Sequence, residues 1–543
     1  MQHINATISP LQAARLRYHH AIPDVLNKSC KVESASDTKE VKHDVAPFFP
    51  VTGSNRSVKI VESDDQSARP LKVGVVLSGG QAPGGHNVIV GLFDGLKKIH
   101  QDSELIGFLG GPSGIIEQKT LNLTSDLLAH YRNQGGFHVI GSGRTKLDSP
   151  EAFTKAMATA HNLQLDAIVV IGGDDSNTNA ANMAEYFKQN GSSTVVIGVP
   201  KTIDGDLKSE EIEISFGFHT ACMVYSELIG NIETDCTSAK KYYHFIRLMG
   251  RAASHIALEC ALQTRPNMVV ISEEIEAKNM SLSDVVNQIV EVVAARANAG
   301  KNYGVILIPE GLIDFIPEIR KLIAELNDVM ANYVTQNITP SVNRVQSDLT
   351  TESLAVFNFL SSSIQEQLLM DRDPHGNVQV SRIETEKLLI ECVERELDQR
   401  KKAGTFKGKF SALAHFFGYE GRCSLPTNFD SKYCYVLGRV ASVLADNGCT
   451  GMMAQVSQTH LPVEQWIPGG ISIPHMCGIE RRHGHDVPVI TKALVCLDQA
   501  PFQYLAANRE SWVVEDAYRN PGPIQFWGPT ADDVPMTLLL EKS

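Results

Sequence analysis

Several features that would assign the chain to a secreted, membrane or nucleic-acid-binding class are missing from the sequence. The ten cysteines among 543 residues occur singly, and the lack of a CxxC pair argues against a zinc or redox centre. No apolar run approaches the roughly 18 residues of a membrane span, and the N-terminal segment has no apolar signal-peptide core. The net charge is −13 without any run of Lys or Arg, so we expect no nucleic acid and no membrane as partner. We expect a cytoplasmic protein with reduced thiols.

The length and the hydrophobic pattern predict an α/β fold with more than one domain. A chain of 543 residues is too long for one compact core. From Leu71 onward, short runs rich in β-branched residues alternate with helical patterns, which indicates βαβ units and buried parallel sheets. The candidate strands span residues 71–77, 105–110, 138–142, 166–172, 193–199, 244–250, 267–272 and 303–309. We predict two doubly wound, Rossmann-like domains.

Three segments depart from this alternation. Residues 1–70 are polar and weakly periodic, and we interpret them as an N-terminal extension. Residues 315–405 contain long helical patterns with charges on one face, which predicts a helical insertion. The cluster HGHD at residues 483–486 is interpreted as a solvated loop rather than a metal site. We place the two α/β domains at residues 71–235 and 236–543, and the chain crossing back between them stays open.

The first motif, LSGGQAPGGHN, follows a predicted strand and precedes a helical pattern. Glycines such as Gly79 and Gly80 let the backbone approach a ligand closely, and the helix N-terminus supplies N–H donors for an anion. The motif is neither the GxxxxGK[ST] P-loop nor the GxGxxG dinucleotide fingerprint. It indicates a phosphate-binding turn, although a strand-to-helix turn that simply needs glycine stays open.

The second motif, GGDDSNTNA, places Asp174 and Asp175 at the carboxyl end of a buried strand, with Ser176 or Asn177 suited to cap the following helix. Open α/β sheets bind ligands at this end of their strands. Two carboxylates beside a phosphate repel it unless a cation intervenes, and Mg²⁺ is the cation that carboxylates and phosphate oxygens share. The alternative is that both aspartates only complement the helix dipole.

The third motif, PKTIDGDL, follows the next strand and combines a cation with two carboxylates. Lys201 offers a point charge for a phosphate, and Asp204 or Asp206 can act as a general base towards an attacking hydroxyl. An Asx-type turn without catalytic role stays open. Further polar side chains stand in loops or at strand ends, and they read either as ligands for phosphate and sugar or as surface ion pairs: Arg144, Lys240, Lys241, Arg247, Arg251, Glu310 and Arg422.

The segments GGQAPGGHN, GGDDSNTNA, PKTIDGDL, MGR, PEG and GYEGR, in this order, resemble the phosphofructokinase family, and within it the long-chain pyrophosphate-dependent branch. The resemblance runs from about Leu71 to at least Val456. It implies two Rossmann-like domains, with the phosphoryl donor on the first and fructose 6-phosphate on the second. It also implies reversible phosphoryl transfer from pyrophosphate to the 1-hydroxyl of fructose 6-phosphate, in glycolysis and gluconeogenesis.

The same resemblance assigns roles to individual residues. Asp174 would hold Mg²⁺, Asp204 would be the catalytic base, and pyrophosphate would lie on Gly79, Gly80, Arg144 and Lys201. Substrate binding would involve Thr202, Asp204, Asp206, Met249, Gly250, Arg251, Glu310, Tyr419 and Arg422. Lys241 and Tyr242 match a segment that reaches a neighbouring subunit's site, which implies a homo-oligomer, at least a dimer.

The choice of donor depends on two positions. ATP-dependent relatives carry glycine where Asp175 and Lys201 stand, and these glycines leave room for the α-phosphate of a nucleotide. Asp175 would therefore exclude ATP by bulk and negative charge, while Lys201 would stabilise the leaving phosphate. The resemblance thus implies that pyrophosphate is the donor.

Other functions remain as alternatives. An ATP-dependent phosphofructokinase is disfavoured by Asp175 and Lys201. A non-catalytic regulatory subunit of a hetero-oligomer would be expected to lack the base or the metal carboxylate, whereas Asp174, Asp204 and Arg251 are all present. A nicotinamide-binding protein is disfavoured because no GxGxxG motif follows a strand.

Overall fold

The computed structural model describes residues 7–35, 40–64, 68–336, 339–370, 378, 380–482 and 485–543. Its residues form two compact units. Unit 1 comprises Met1–Ala221, Tyr419–Ala493 and Ile524–Val534, and unit 2 comprises Cys222–Gly418, Leu494–Pro523 and Pro535–Ser543. Among the described residues, no helix has both the length and the apolar character needed to cross a membrane.

Unit 1 contains most of the strands. They are β1 Cys30–Ser34, β2 Val58–Glu62, β3 Lys72–Leu77, β4 Glu104–Phe108, β5 Thr120–Asn122, β6 Ala167–Gly172, β7 Val195–Thr202, β8 Phe216–Gly217, β13 Met452–Ser457, β14 Ile467–Ser472, β15 Cys477–Arg482 and β16 His485–Ile490. The helices are α1 Pro10–Leu16, α2 Gly85–Ile99, α3 Pro112–Ile116, α4 Ser125–Ala129, α5 Pro150–Asn162, α6 Asp174–Gln189, α17 Asn428–Asp446 and α18 Ile473–Met476. Helix α7, Phe218–Ala239, begins in unit 1 and continues into unit 2.

The large sheet of unit 1 has the strand order β1-β2-β14-β13-β7-β6-β3-β4-β5, with β8 beside β7. The central strands pair in parallel, as predicted, and every residue of β6 is buried. Towards the edges of this sheet, β1, β2, β14 and β5 add antiparallel pairs to the parallel centre. Parallel pairing aligns the ends of β3, β6 and β7, so the turns that follow these strands lie at one edge of the sheet.

Unit 2 is built on a smaller sheet whose strands all run parallel in the order β10-β11-β9-β12. Its strands are β9 Tyr243–Leu248, β10 Met268–Val269, β11 Gly304–Pro309 and β12 Ala412–Phe417. Its helices are α8 His255–Thr264, α9 Ser272–Ala277, α10 Leu282–Asn298, α11 Leu312–Phe315, α12 Pro317–Thr335, α13 Val342–Asp348, α14 Thr351–Phe359, α15 Ser362–Leu369, α16 Thr385–Lys402, α19 Ala500–Val514 and α20 Met536–Lys542. The predicted helical insertion is therefore present, and its Leu326, Phe357 and Leu389 share one core with Phe245 and Ile306 of the sheet.

Two strand-level predictions differ from the structure. The candidate strand at residues 138–142 is a turn, in which Val139 and Ile140 are buried between the positive-φ glycines Gly136 and Gly141. A buried turn that pairs with no strand contains the same short apolar run in its sequence as a buried strand does. Residues of the supposed N-terminal extension form β1 and β2, whose alternating burial fits an antiparallel sheet edge.

The course of the chain also departs from the predicted domains at residues 71–235 and 236–543. The chain returns to unit 1 at Tyr419, because β13 and β14 lie between β7 and β2 in the sheet of that unit. Of the HGHD segment, residues 483 and 484 lie outside the described residues, and His485 and Asp486 begin β16 instead of standing in a loop.

Candidate active site

The turn after β3 brings three cationic side chains to two glycines. Gly79 has φ +84°, a conformation that favours glycine, and its N–H donates to the Gly143 carbonyl at 2.9 Å. A Cβ added at Gly79 would lie 3.4 Å from Lys201 Nζ. At Gly80 it would lie 3.1 Å from Arg422 Nη1 and 3.6 Å from Arg144 Nη2. A concave backbone surface facing an ammonium and two guanidinium groups is suited to a polyanion.

The second turn follows β6 and is very short, because α6 already begins at Asp174. The N-cap is Gly173, so the predicted capping by Ser176 or Asn177 does not occur. Ser176 Oγ instead donates to Ser78 Oγ at 2.8 Å, and Asn177 Nδ2 donates to the carbonyl of Gly172 at 2.6 Å. The Ser176–Ser78 hydrogen bond joins the turns after β3 and β6, and the Asn177–Gly172 bond holds the start of α6 to the end of β6. Asp174 and the exposed Asp175 occupy the first turn of α6, where the helix dipole stabilises negative charge.

The third turn, after β7, places a buried cation beside two carboxylates. Burial lowers the pKa of Lys201 to about 8; the guanidinium of Arg422 also lowers it, while Asp204 and Asp174 oppose the shift. Burial raises the pKa of Asp206 to about 7, and the neighbouring Asp204 and Asp174 add to this. The Asp204 N–H donates to Thr202 Oγ1 at 3.1 Å, which shapes the turn. The turn thus holds groups that can exchange protons near neutral pH.

One cation of this site was not found by sequence reasoning. Lys492 Nζ lies 3.6 Å from Asp174 Oδ2, and its charge also acts on Asp206. The residue stands in the segment VITKALV, which carries no motif and lies far along the chain from the other site residues. No sequence signal identifies it.

In unit 2, two motifs meet at the carboxyl end of the parallel sheet. Met249, Gly250 and Arg251 follow β9, and Glu310 follows β11. The Glu310 N–H donates to the Leu248 carbonyl at 2.9 Å, and its side chain accepts the Gly250 N–H at 3.2 Å. Gly250 has φ +118°, which favours glycine. A buried carboxylate and the exposed Arg251 are therefore held close to one turn.

Behind this turn lies an ion pair that orients Glu310. Arg247 Nη1 is 4.0 Å from Glu310 Oε1, and Arg247 Nε is 2.6 Å from Glu386 Oε2. The guanidinium stacks on Phe416 at 4.0 Å, and all three charged residues are buried. Sequence reasoning noted Arg247 as basic but missed Glu386, which lies in the helical insertion. Burial raises the pKa of Glu386, and Arg247 opposes this.

Several predicted residues lie apart from these groups within their own units. Lys241 and Tyr242 precede β9, whereas Met249–Arg251 follow it. The six residues of β9 span about 20 Å at about 3.3 Å per residue. Arg422 was predicted to bind sugar phosphate, and the structure places it in unit 1 beside Gly80, with its guanidinium 5.4 Å from the ring of the exposed Tyr419.

The chemistry of these groups can be stated from their charges. The unit 1 group combines anion-binding cations with carboxylates that can hold a divalent cation or accept a proton. Among the described residues, no cluster of three or more His, Cys, Asp or Glu side chains could hold a metal ion. Any metal here would share its coordination with the anion, which is the usual mode of Mg²⁺ at phosphates.

Comparison with known proteins identifies the family. A family model described as Phosphofructokinase matches residues 72–352. The chain is 52% identical over 538 residues to pyrophosphate–fructose 6-phosphate 1-phosphotransferase subunit beta 1 of Arabidopsis thaliana, covering 98% of this chain and 94% of the relative. It is 50% identical to the pyrophosphate–fructose 6-phosphate 1-phosphotransferase of Treponema pallidum, covering 99% and 97%.

The fold has solved counterparts at lower identity. The crystal structure of a pyrophosphate-dependent phosphofructokinase from Nitrosospira multiformis superimposes with a TM-score of 0.54 at 13% identity, covering 86% of this chain and 95% of that chain. At this identity the likeness concerns the fold alone.

Proposed function

The chain belongs to the phosphofructokinase family, and from this premise we propose how its residues perform the family's pyrophosphate-dependent reaction. The protein is an enzyme that transfers a phosphoryl group from pyrophosphate to the 1-hydroxyl of fructose 6-phosphate, giving fructose 1,6-bisphosphate and phosphate. The transfer is a reversible step of glycolysis and gluconeogenesis. The observation that carries the proposal is the convergence of Lys201, Arg144 and Arg422 on the glycine turn at residues 79–80.

Pyrophosphate binds at this turn, with Gly79 and Gly80 allowing close approach of the backbone. Arg144 and Arg422 neutralise its charge, and Lys201 stabilises the negative charge that develops on the leaving phosphate. Arg422 thus serves the donor side in this proposal. Asp175 excludes ATP, because its exposed carboxylate in the first turn of α6 takes the space and repels the charge of a further phosphate.

The acceptor hydroxyl loses its proton to Asp204. The base is fixed by its N–H bond to Thr202 Oγ1 at 3.1 Å. Burial, and after it the negative charge of Asp204, raise the pKa of Asp206 to about 7, so Asp206 holds a proton below that pH. A base in hydrogen-bond reach of the hydroxyl contributes about 10²–10⁴-fold to the rate.

The metal in this proposal is Mg²⁺, held by Asp174. The donor set fits, because a single carboxylate at a helix N-terminus beside an anion-binding turn leaves most coordination positions to phosphate oxygens and water. When bound, Mg²⁺ neutralises charge on the phosphoryl oxygens. Asp174, the first residue of α6, would hold the ion through its carboxylate.

Fructose 6-phosphate binds to unit 2 through Met249, Gly250, Arg251 and Glu310, with Glu310 accepting from sugar hydroxyls. Tyr419 belongs to unit 1, and its role in sugar binding stays a prediction. Lys241 and Tyr242 lie at the opposite end of β9, about 20 Å away, so they serve the sugar site of a second copy. The enzyme is therefore a homo-oligomer, at least a dimer, and relatives named as subunits support assembly.

The test is an assay that couples fructose 1,6-bisphosphate formation to NADH oxidation, with pyrophosphate and ATP supplied separately. We expect activity with pyrophosphate and Mg²⁺, and rates with ATP lower by a factor of about 10² or more, as expected for a like-charge contact. The matched control Asp204→Asn should lose activity with either donor while keeping its Tm. Equal rates or a preference for ATP would contradict the assigned donor, and inactivity with both would contradict the function.

A further inference from the structure

The hairpin of β15 and β16 carries a lysine to the carboxylates of the donor site. Lys492 follows β16 by two residues, and its Nζ lies 3.6 Å from Asp174 Oδ2. Its charge also acts on the carboxylate of Asp206. The side chain is 38% exposed, so the ammonium is accessible to a ligand.

Two backbone anchors fix this position. The Ile490 N–H donates to Thr178 Oγ1 on α6 at 3.1 Å, one helical turn beyond Asp174. On the other side, the Ala493 N–H donates to the Asp206 carbonyl at 2.8 Å. Lys492 is thus held between the two turns that carry the acidic residues. The placement is a property of the fold rather than of a loose surface side chain.

An ion pair with Asp174 alone does not explain why the Lys492 ammonium is held at this position. A half-exposed pair at this separation stabilises a protein by about 1 kcal/mol at most. Four aspartates stand in the turns after β6 and β7, at residues 174, 175, 204 and 206. A bound diphosphate adds further negative charge to that of the aspartates. A metal cation at Asp174 has the same sign of charge as the Lys492 ammonium, so the two cations repel each other. The complementary ligand for this ammonium is therefore a phosphate oxygen.

We propose that Lys492 is a ligand of the phosphoryl donor, binding pyrophosphate together with Lys201, Arg144 and Arg422. The inference rests on the proposed function and extends its donor site to the C-terminal hairpin. Residue 492 lies outside residues 72–352, the part that matches the family model, so the hairpin adds a donor contact beyond the matched range.

Calorimetric titration of the full-length protein with pyrophosphate and Mg²⁺ tests the proposal without turnover. We expect Lys492→Met to weaken pyrophosphate binding by a factor of about 10 or more, the loss of one charge-assisted hydrogen bond, and Lys492→Arg to retain most of the affinity. The Kd for fructose 6-phosphate should stay within about twofold of wild type. The matched control is Lys72→Met, which removes a 34% exposed lysine paired with Glu104 at 3.3 Å.

The possible outcomes distinguish a failure of the proposed function from a failure of the proposed role of Lys492. If wild type does not bind pyrophosphate, the proposed function fails. If wild type binds it and Lys492→Met binds equally well, the role of Lys492 is refuted while the function stands. Tighter Mg²⁺ binding by Lys492→Met with unchanged pyrophosphate affinity would also refute it, because Lys492 would then only compete with the metal. A Tm measurement on each variant shows that the fold is kept.

Discussion

At the scale of single residues, we propose that Asp175 decides which donor is accepted. It lies in the first turn of α6, next to Asp174, the carboxylate proposed to hold Mg²⁺. Replacing it with glycine removes both the bulk and the charge that oppose a nucleotide. We expect Asp175→Gly to raise kcat/KM for ATP by a factor of about 10 or more, since one like-charge contact costs about 1.4 kcal/mol or more.

The variant Asp175→Asn separates the two causes, because it removes the charge and keeps the volume. Steady-state kinetics with both donors measure the effect. If Asp175→Gly leaves the ratio of pyrophosphate to ATP activity unchanged, exclusion does not depend on this residue.

Arg247 belongs to a buried ion pair behind the turn at residues 249–251, for which we propose sugar binding. Its Nε lies 2.6 Å from Glu386 Oε2, and both residues are buried. Arg247→Met leaves Glu386 without its counter-ion, and we expect a loss of about 3 kcal/mol in the free energy of unfolding. The double variant Arg247→Met with Glu386→Gln should be more stable than the single one. Urea denaturation measures both, and equal stabilities would show that the pair is not coupled.

At the scale of secondary-structure elements, α2 and α17 pack so closely that glycine is required. A Cβ at Gly91 would lie 2.1 Å from the Tyr435 carbonyl oxygen, and a Cβ at Gly438 would lie 2.1 Å from the Val88 carbonyl oxygen. The backbones of the two helices are thus in direct contact. This contact fixes the packing of α2, the helix that follows the turn at Gly79 and Gly80.

Substitution at Gly91 should therefore destabilise the protein despite the higher helix propensity of alanine. We expect Gly91→Ala to cost about 2 kcal/mol, because the backbone of α17 must move. Gly95→Ala is the comparison, since there the Cβ would meet Ser442 Oγ at 2.1 Å, an atom that can rotate away, and Ser442 Cβ at 2.8 Å, which requires a smaller shift than a backbone contact at 2.1 Å. Thermal unfolding should show the larger fall in Tm for Gly91→Ala. The reverse order would mean that the helix contact is adaptable.

Elements differ in how far the sequence predicts them. The turns at Gly79, Asp174 and Lys201 were predictable because polar and glycine residues end uninterrupted apolar runs, and parallel strands bring such ends together. Strands β1 and β2 were missed because their short polar alternation resembles a loop. The position of Arg422 beside Gly80 depends on tertiary packing between distant segments, and nothing local to GYEGR indicates it.

At the scale of the whole molecule, Glu233 makes stability depend on pH. Burial raises its pKa to about 9, and the nearby Thr264 hydroxyl, which donates to the Cys260 carbonyl at 2.9 Å, opposes the shift only in part. In the unfolded chain the carboxyl titrates near pH 4.3. Between about pH 4 and pH 9 the folded state therefore binds the extra proton, and stability falls as the pH rises through this window.

Glu233→Gln removes this dependence. We expect little change in stability at pH 5 and a gain of about 1–2 kcal/mol over wild type at pH 8. Glu227→Gln, on the same helix but only partly buried, serves as control. Tm values measured across this pH range test the prediction. If the curves of Tm against pH are parallel for wild type and Glu233→Gln, Glu233 ionises normally.

The strand order of unit 1 has a consequence for biosynthesis. Strands β13 and β14 lie between β7 and β2, yet they are encoded after all of the second unit's sheet. On the ribosome, one edge of β7 stays open until β13 emerges, when roughly the last fifth of the chain remains to be synthesised. Translation proceeds at about 5–20 residues per second. During that interval β7 is hydrogen-bonded to β6 on one side, and its other side leaves an apolar strand edge to which another chain could pair.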